Sequence, residues 1–521
     1  MNSIKEIDNI NLDDELIIKD KMKKFTILLG RANFEAKGYQ SEGIEWCLRH
    51  ELLRHELLRH ERETKIRGGI VADEMGLGKT LMMIGLMFVN FKRRTLIIVP
   101  PVLLEQWAKE IYKCTGHKAL KYHGHQKNQI TEEQLLQAPI VITTYNMLLI
   151  SKDKKGNKDK VEDKVNLLTK IKWNRLIFDE AHHLRNRKTE RFNSCEKIRS
   201  DIKWLISGTP IQNKRSDLYN LCKIIGIKSV NKDNVKEIAQ KYILRRTKAE
   251  VGINLPPVIK EDKQVPWRNL EEKLLSEELH ALLPNQTGVF ISNKSVLNDF
   301  AANFEGKGVL TAIMKARQSC IMPSLMVPDL LEQINTESID KPKKYVKALR
   351  SSSKLDAVIE LVVSRKDNGN GKIIFCHFRN EIDTIATRLV QSGLKKVVTY
   401  DGRNSRQIGV NIADAADAII LQIQTGCEGL NLQANFSEIY FVSPHWNPCV
   451  EDQAIARCHR IGQTKPTYVF KFEMIGFQKD NKRNKQDEDQ DQNPITLEPI
   501  TLEKYVNNVQ MVKRNMISEV I

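Results

Sequence analysis

Short runs of aliphatic and β-branched residues recur from residue 68 onward, and the stretches between them carry helical patterning. The first series reads GGIVA (68–72), TLIIVP (95–100), IVITTY (140–145), RLIFDE (175–180) and KWLISGT (203–209). A second series starts at KIIFCHF (372–378) and continues with VVTYDG (397–402), AIILQI (418–423), EIYFVS (438–443) and TYVFKF (467–472). Runs this apolar predict strands buried on both faces, as in parallel sheets flanked by helices. The fold class expected is therefore α/β, with two parallel-sheet lobes in tandem.

Residues 251–350 lose the strand rhythm. They carry helical patterns such as NLEEKLLSEELHALL, punctuated by prolines, and read as a largely helical connection. The expected organisation is an N-terminal tail at 1–24, lobe one at 25–250, the helical connection at 251–350, and lobe two at 351–521. Residues 151–172 and 478–493 are strongly polar and read as mobile surface loops. The tandem repeat LRHEL-LRHEL-LRHER within residues 48–62 has a period of five, which does not keep its leucines on one helical stripe; it reads as a surface helix lengthened by duplication. The last segment, LEPITLEKYVNNVQMVKRNMISEVI, reads as a terminal helix.

Composition narrows the class. At 521 residues and 41% hydrophobic, the chain is too long for one core and too apolar for disorder. Its net charge of +17 biases it toward polyanions. The nine cysteines include no Cys-x-x-Cys pair, which argues against a disulfide scaffold and against a zinc module. The longest apolar runs fall short of the roughly 18 residues of a membrane span, and the N-terminus lacks an apolar leader core. A soluble intracellular protein is expected, with no zinc and no membrane partner. The histidine pairs His123/His125 and His182/His183 lack an evident third ligand and are not read as metal sites.

The chemistry begins at GGIVADEMGLGKT, which leads from a strand through a glycine-bearing loop into a helix. Gly76 and Gly78 permit close approach of backbone N–H groups to phosphate oxygens, Lys79 reaches the β/γ-phosphates, and Thr80 is a magnesium ligand. The general phosphate-loop pattern requires glycine where this chain has Asp73. About a hundred residues later a strand delivers Asp179 and Glu180, where open parallel sheets bind ligands. Asp179 is the expected water-mediated magnesium ligand, and Glu180 the group that orients and deprotonates the attacking water.

These motifs belong to an ordered series that resembles the Swi/Snf-type ATPases of helicase superfamily two from residue 34 to residue 475. The series runs through KGYQSEGIEWCL, IIVPPVLLEQWAKE, ITTYNML, DEAHHLRN, SGTPIQN, ARQSCIMPSL, FCHFRNEI, LQIQTGCEGLNLQ and HWNPCVEDQAIARCHRIGQ. The resemblance implies tandem RecA-like lobes with helical insertions and a C-terminal brace helix. It implies ATP and magnesium as cofactors, with Gln40 at the adenine edge and Gln453 also on the nucleotide. Arg457 and Arg460 become arginine fingers, and their spacing places them on one helix face. Such guanidinium groups stabilise the charge spread over a transferred phosphoryl group. Thr143, Thr144 and Tyr145 in lobe one, and Thr425, Gly426 and Asn431 in lobe two, are implied to lie near nucleic acid. Trp107 and Trp446 have two readings, a stacking wedge or a tryptophan buried against a strand.

The leading function implied is a DNA-dependent ATPase that translocates on double-stranded DNA and displaces bound proteins, with nucleosomes or transcription machinery as candidate targets. Transcript release, DNA repair, strand-separating helicase activity on DNA or RNA, and an inactive binding scaffold are the alternatives. The expected location is the nucleus or, for a viral chain, a virus factory.

Overall fold

The structure, a computed structural model, describes residues 12–31, 37–52, 66–149, 166–212, 214–283, 308–326, 346–403, 416–426, 430–477 and 500–520. The polar segments 150–165 and 478–499, and the later copies of the LRHEL repeat, lie outside them. Two compact units emerge: Met1–Asn254 with Lys513–Ile521, and Leu255–Val512.

Among the described residues, the first unit has strands β1 (Gly68–Val71), β2 (Thr95–Val99), β3 (Leu120–Tyr122), β4 (Ile140–Thr144), β5 (Trp173–Phe178), β6 (Ser200–Ile206) and β7 (Ile243–Leu244). They form one sheet in the order β3-β4-β2-β5-β6-β1-β7, with all pairings parallel. Successive residues turn to opposite faces, and both faces are covered. Leu96, Ile98, Leu176, Phe178 and Leu205 enter one core, while Ile97, Val99, Ile177, Trp204 and Ile206 enter the other. This double coverage is why the strands read as continuous apolar runs.

The second unit has β8 (Val258–Val265), β9 (Gly371–Cys376), β10 (Val397–Tyr400), β11 (Ala418–Gln422), β12 (Phe436–Phe441) and β13 (Thr467–Met474). Their order is β10-β11-β9-β12-β13-β8, again parallel throughout. Ile374, Ile420, Tyr440 and Phe470 pack on one face, and Ile373, Ile419, Ile439 and Val469 on the other. The chain is thus two parallel-sheet α/β lobes, and every one of the ten strands expected from the two apolar series is present.

Four features correct the sequence expectation. Residues 12–31 form one helix that runs across the expected boundary between tail and lobe at 24; Ile18 and Phe25 bury against Ile44, Met82 and Leu86. The stretch 251–350 does contain a strand, since β8 pairs with β13 along eight residues. Its sequence VIKEDKQV is polar because it lies at a sheet edge, with most side chains partly or fully exposed. The short strands β3 and β7 were also unanticipated. Arg457 and Arg460 do not share a helix face, because the helix Pro448–Ile455 ends before them and both lie in the turns that follow.

The terminal helix spans Leu502–Val520. Within the second unit, Leu502 and Val506 bury with Leu283, Ala312 and Ala316. Glu503 forms a buried ion pair with Lys354 and accepts a hydrogen bond from the Met474 N–H at 3.0 Å.

Candidate nucleotide and nucleic-acid sites

The phosphate loop is built by β1 and the segment after β7. Beyond the end of β1, the Ala72 N–H donates to the Leu244 carbonyl at 2.7 Å and the Glu74 N–H to the Arg246 carbonyl at 2.9 Å, so residues 72–74 remain tethered to the 244–246 backbone. The chain then turns through Gly76 (φ 91°) and Gly78 (φ 78°), in the left-handed region where a side chain is strained. Gly78 stands directly before the helix Lys79–Val89, where the first-turn N–H groups and the helix dipole favour an anion. A Cβ at Gly78 would come within 2.6 Å of Gln40 Nε2, and the same amide donates to the Leu77 carbonyl at 3.4 Å. Gln40 is thereby buried against the loop.

Lys79 Nζ donates to the carbonyls of Asp73 at 2.7 Å and Glu74 at 3.3 Å, which holds its ammonium over the loop. Thr80 is partly exposed in the first helical turn. Asp73, where the general pattern has glycine, is fully buried and takes a two-pronged contact from Arg246, Nη2 to Oδ2 at 2.6 Å and Nε to Oδ1 at 3.1 Å. Arg246 Nη1 also donates to the Tyr39 carbonyl at 2.5 Å, tying the loop to the segment that carries Gln40.

Two neighbouring strands complete the site. β5 ends at Phe178 and delivers Asp179 and Glu180; β6, between β5 and β1 in the sheet, ends before Ser207-Gly208-Thr209. A Cβ at Gly208 would meet Met75 Cγ at 2.7 Å and Lys79 Nζ at 3.4 Å, so the β6 turn packs on the phosphate loop. Gln212 Nε2 donates to Thr209 Oγ1 at 3.3 Å, and the guanidinium of Arg185 donates to Gln212 Oε1. A polar string thus links the β6 turn to the segment after the acids.

Asp179 is buried. Its Oδ2 accepts the Trp107 indole N–H at 2.6 Å and its Oδ1 accepts the Glu180 N–H at 2.9 Å. Burial and the neighbouring Glu180 carboxylate push its pKa up, against the pull of the Trp107 bond. Glu180 adopts φ 48°, unusual for a non-glycine residue, and its Oε2 lies 3.1 Å from His182 Nδ1. The donor set suits magnesium: a threonine hydroxyl in the first turn of a phosphate-binding helix, and a carboxylate with lone pairs remaining on both oxygens for bound water.

In lobe one, the residues implied to lie near nucleic acid turn their side chains inward. Thr143, Thr144 and Tyr145 are all buried and bonded internally. Thr143 Oγ1 donates to the Tyr122 carbonyl at 2.8 Å, Thr144 Oγ1 lies 3.2 Å from His123 Nδ1, and the Tyr145 hydroxyl donates to the Asp179 carbonyl at 2.7 Å. Their side chains face the protein because β4 is covered on both faces. Of the two readings of Trp107, the buried one holds, with 1% of its surface exposed. Its bond to Asp179 was missed, although a buried indole N–H demands an acceptor. Arg246 was missed as well; nothing local in ILRRTKAE announces a partner 173 positions away.

In the second lobe, Gln453 is buried on the helix Pro448–Ile455, with its Nε2 lacking a hydrogen-bond partner among the described residues. Arg457 and Arg460 are partly buried, and the Arg460 guanidinium donates to Asn431 Oδ1. Burial, with the nearby Arg457, lowers the pKa of Arg460. Thr425 and Gly426 fall in the short helix Ile423–Gly426, and the Thr425 side chain is not among those described.

Comparison with known proteins decides the family. The SNF2-related domain matches residues 39–325, more than half of the chain, and the helicase conserved C-terminal domain matches residues 353–462. The chain belongs to the SNF2-related family. It is an ATP hydrolase of the helicase-like class. One relative is the "Probable global transactivator" of Orgyia pseudotsugata multicapsid polyhedrosis virus, 27% identical over 83% of this chain and 85% of its own. Another is "Chromatin remodeling factor mit1" of Schizosaccharomyces pombe, 26% identical over 77% of this chain. The chain spans 29% of that yeast protein. Among solved structures, the Sulfolobus solfataricus SWI2/SNF2 ATPase core in complex with dsDNA is similar at 23% identity, covering 85% of this chain and 88% of that one, with a TM-score of 0.37. Among the described residues, no helix is long and apolar enough to cross a membrane.

Proposed function

We propose that this SNF2-family ATPase is a motor that translocates on double-stranded DNA and displaces proteins bound to it. The observation that carries the reading is the convergence of Lys79, the Asp179–Glu180 pair and the Ser207-Gly208-Thr209 turn at the carboxyl ends of three neighbouring parallel strands. Lys79, Gly76 and Gly78 hold the triphosphate, Gln40 and Gln453 contact the nucleotide, and Thr80 and Asp179 hold magnesium. The ion neutralises phosphate charge when bound; Glu180 orients the attacking water. Arg457 and Arg460 serve as arginine fingers from the second lobe, so that hydrolysis is tied to lobe closure. Asn431, Thr425 and Gly426 belong to the tracking surface of the second lobe. In the first lobe, Thr143, Thr144 and Tyr145 shape that surface from beneath.

The net charge of +17 and the viral and chromatin-remodelling relatives support DNA-bound complexes, nucleosomes or transcription machinery, as targets. The nucleus, or a virus factory for a viral chain, is the matching location. Turnover measured without nucleic acid, and with single strands, duplex DNA and RNA, tests the reading. Duplex-specific stimulation without strand displacement is expected, with log K falling by about 0.9 per phosphate neutralised as log salt rises. Stimulation by RNA alone, or a flat salt response, would overturn it.

A further inference from the structure

Arg191 lies in the helix Glu190–Glu196, whose N-cap Thr189 follows the exposed residues Asn186, Arg187 and Lys188. It is partly exposed and sits at the outer end of two short routes to the acid pair. On the first, its guanidinium carbon lies 5.8 Å from the centre of the Tyr145 ring, and the Tyr145 hydroxyl donates to the Asp179 carbonyl at 2.7 Å. On the second, Arg191 Nη1 donates to His183 Nδ1 at 3.4 Å. The His183 ring stands 4.6 Å from that of His182, whose Nδ1 is 3.1 Å from Glu180 Oε2. Arg191 Nη2 also donates to Asn146 Oδ1 at 3.2 Å, an exposed amide beside Tyr145.

We infer that Arg191 is a positioning residue through which a phosphate backbone bound on this lobe adjusts Asp179 and Glu180. The inference rests on the proposed duplex-dependent function and deepens it. A guanidinium carries five N–H groups in a rigid fork, so Arg191 has donors beyond those on Asn146 and His183 with which to engage a phosphate. Arg187 and Lys188 add positive charge beside it; Glu190 is the acid next to them in sequence. An anion drawing Arg191 outward loosens its hold on His183 and on the Tyr145 ring, and both feed the segment in which Glu180 is held at a positive φ. The buried Tyr145 is then a transmitter, which explains how a motif expected at the nucleic acid contributes with its side chain turned inward.

The experiment measures ATP turnover of the whole chain with and without saturating duplex, and duplex affinity by anisotropy, in wild type, Arg191→Ala, Arg191→Lys and Lys188→Ala. In Arg191→Ala, the ratio of stimulated to basal turnover should fall by roughly 5- to 150-fold even when duplex is saturating. Arg191→Lys should recover duplex affinity but not the ratio, because an ammonium is a point charge without the fork. Lys188→Ala should weaken affinity while the ratio at saturation persists. An unchanged ratio in Arg191→Ala, or an equal loss with and without duplex, overturns the inference. If Arg191→Ala does not fold, a wild-type ratio in Arg191→Lys overturns it. A wild-type protein that duplex does not stimulate defeats the functional reading itself, whatever the variants do.

Discussion

Asp73 and Arg246 stand 173 positions apart and meet in a two-pronged ion pair at the root of the phosphate loop, with the carboxylate fully buried. The pair occupies the place of a glycine in the general loop pattern. Restoring that glycine should therefore damage this protein. Asp73→Gly leaves the guanidinium without its buried carboxylate, and Arg246→Ala leaves a buried carboxylate without its guanidinium, at a cost of roughly 3–5 kcal/mol each. Because both remove the same contact, the losses should not add: Asp73→Gly with Arg246→Ala should be less destabilised than the sum of the singles. Denaturant midpoints for the four proteins check this, and strictly additive losses would mean that the two residues do not act as a pair.

The Trp107 indole supplies one of the two donors to the Asp179 carboxylate. Trp107→Phe keeps the ring packing against the first-lobe core and removes only the N–H. A hydrogen bond to a charged acceptor is worth about 1.5–3 kcal/mol, so turnover should fall by roughly 10- to 100-fold if Asp179 must be held in this orientation for catalysis. The magnesium concentration needed for half-maximal rate should rise together with that fall. Turnover and magnesium dependence equal to wild type would reduce Trp107 to a packing residue.

Local pattern made the ten long strands and the phosphate loop legible, because both depend on residues close together in the chain. Three-residue β3 and two-residue β7 are too short to show a period, and β8 hides because an edge strand such as VIKEDKQV needs little apolar content. The partnerships Trp107–Asp179 and Asp73–Arg246 are long-range and leave no local signal. The Thr143-Thr144-Tyr145 motif was legible in position but not in orientation: a motif locates a segment, while the sheet decides which way its side chains point. The same limit applied to Arg457 and Arg460, whose spacing fits one helix face but whose helix stops at Ile455.

Arg460 is held by Asn431, a residue from the preceding motif, and lies near a second cation in Arg457. Two partly desolvated guanidinium groups side by side favour an incoming anion. Arg460→Ala should leave ATP binding largely intact and slow hydrolysis by about 10³-fold or more, as expected for loss of an arginine finger. Asn431→Ala should produce a smaller fall in the same direction by freeing the guanidinium. Nucleotide affinity and single-turnover hydrolysis, measured separately, distinguish the steps; hydrolysis at the wild-type rate in Arg460→Ala would exclude it as a finger.

His280 joins the helix Leu270–Ala281 to the start of the terminal helix. Its Nδ1–H donates to the Ser276 carbonyl at 2.7 Å, and its Nε2 accepts the Leu502 N–H at 3.0 Å, an arrangement that only the neutral ring can make. Burial pulls its pKa down to about 4 from the ordinary 6.5. Below pH 6.5 the unfolded chain takes up a proton that the folded chain refuses, so the stability due to this group is present above that pH and drains away toward pH 4. The full span is on the order of 3 kcal/mol. Glu381, buried and pushed up to about 7, acts with the opposite sign, gaining stability as pH falls through its folded value. The diagnostic quantity is therefore the difference between wild type and His280→Gln in the slope of stability against pH. Between pH 6.5 and 4 the variant should lose less stability on acidification than wild type, as read from urea midpoints; parallel curves would show that His280 does not titrate with unfolding.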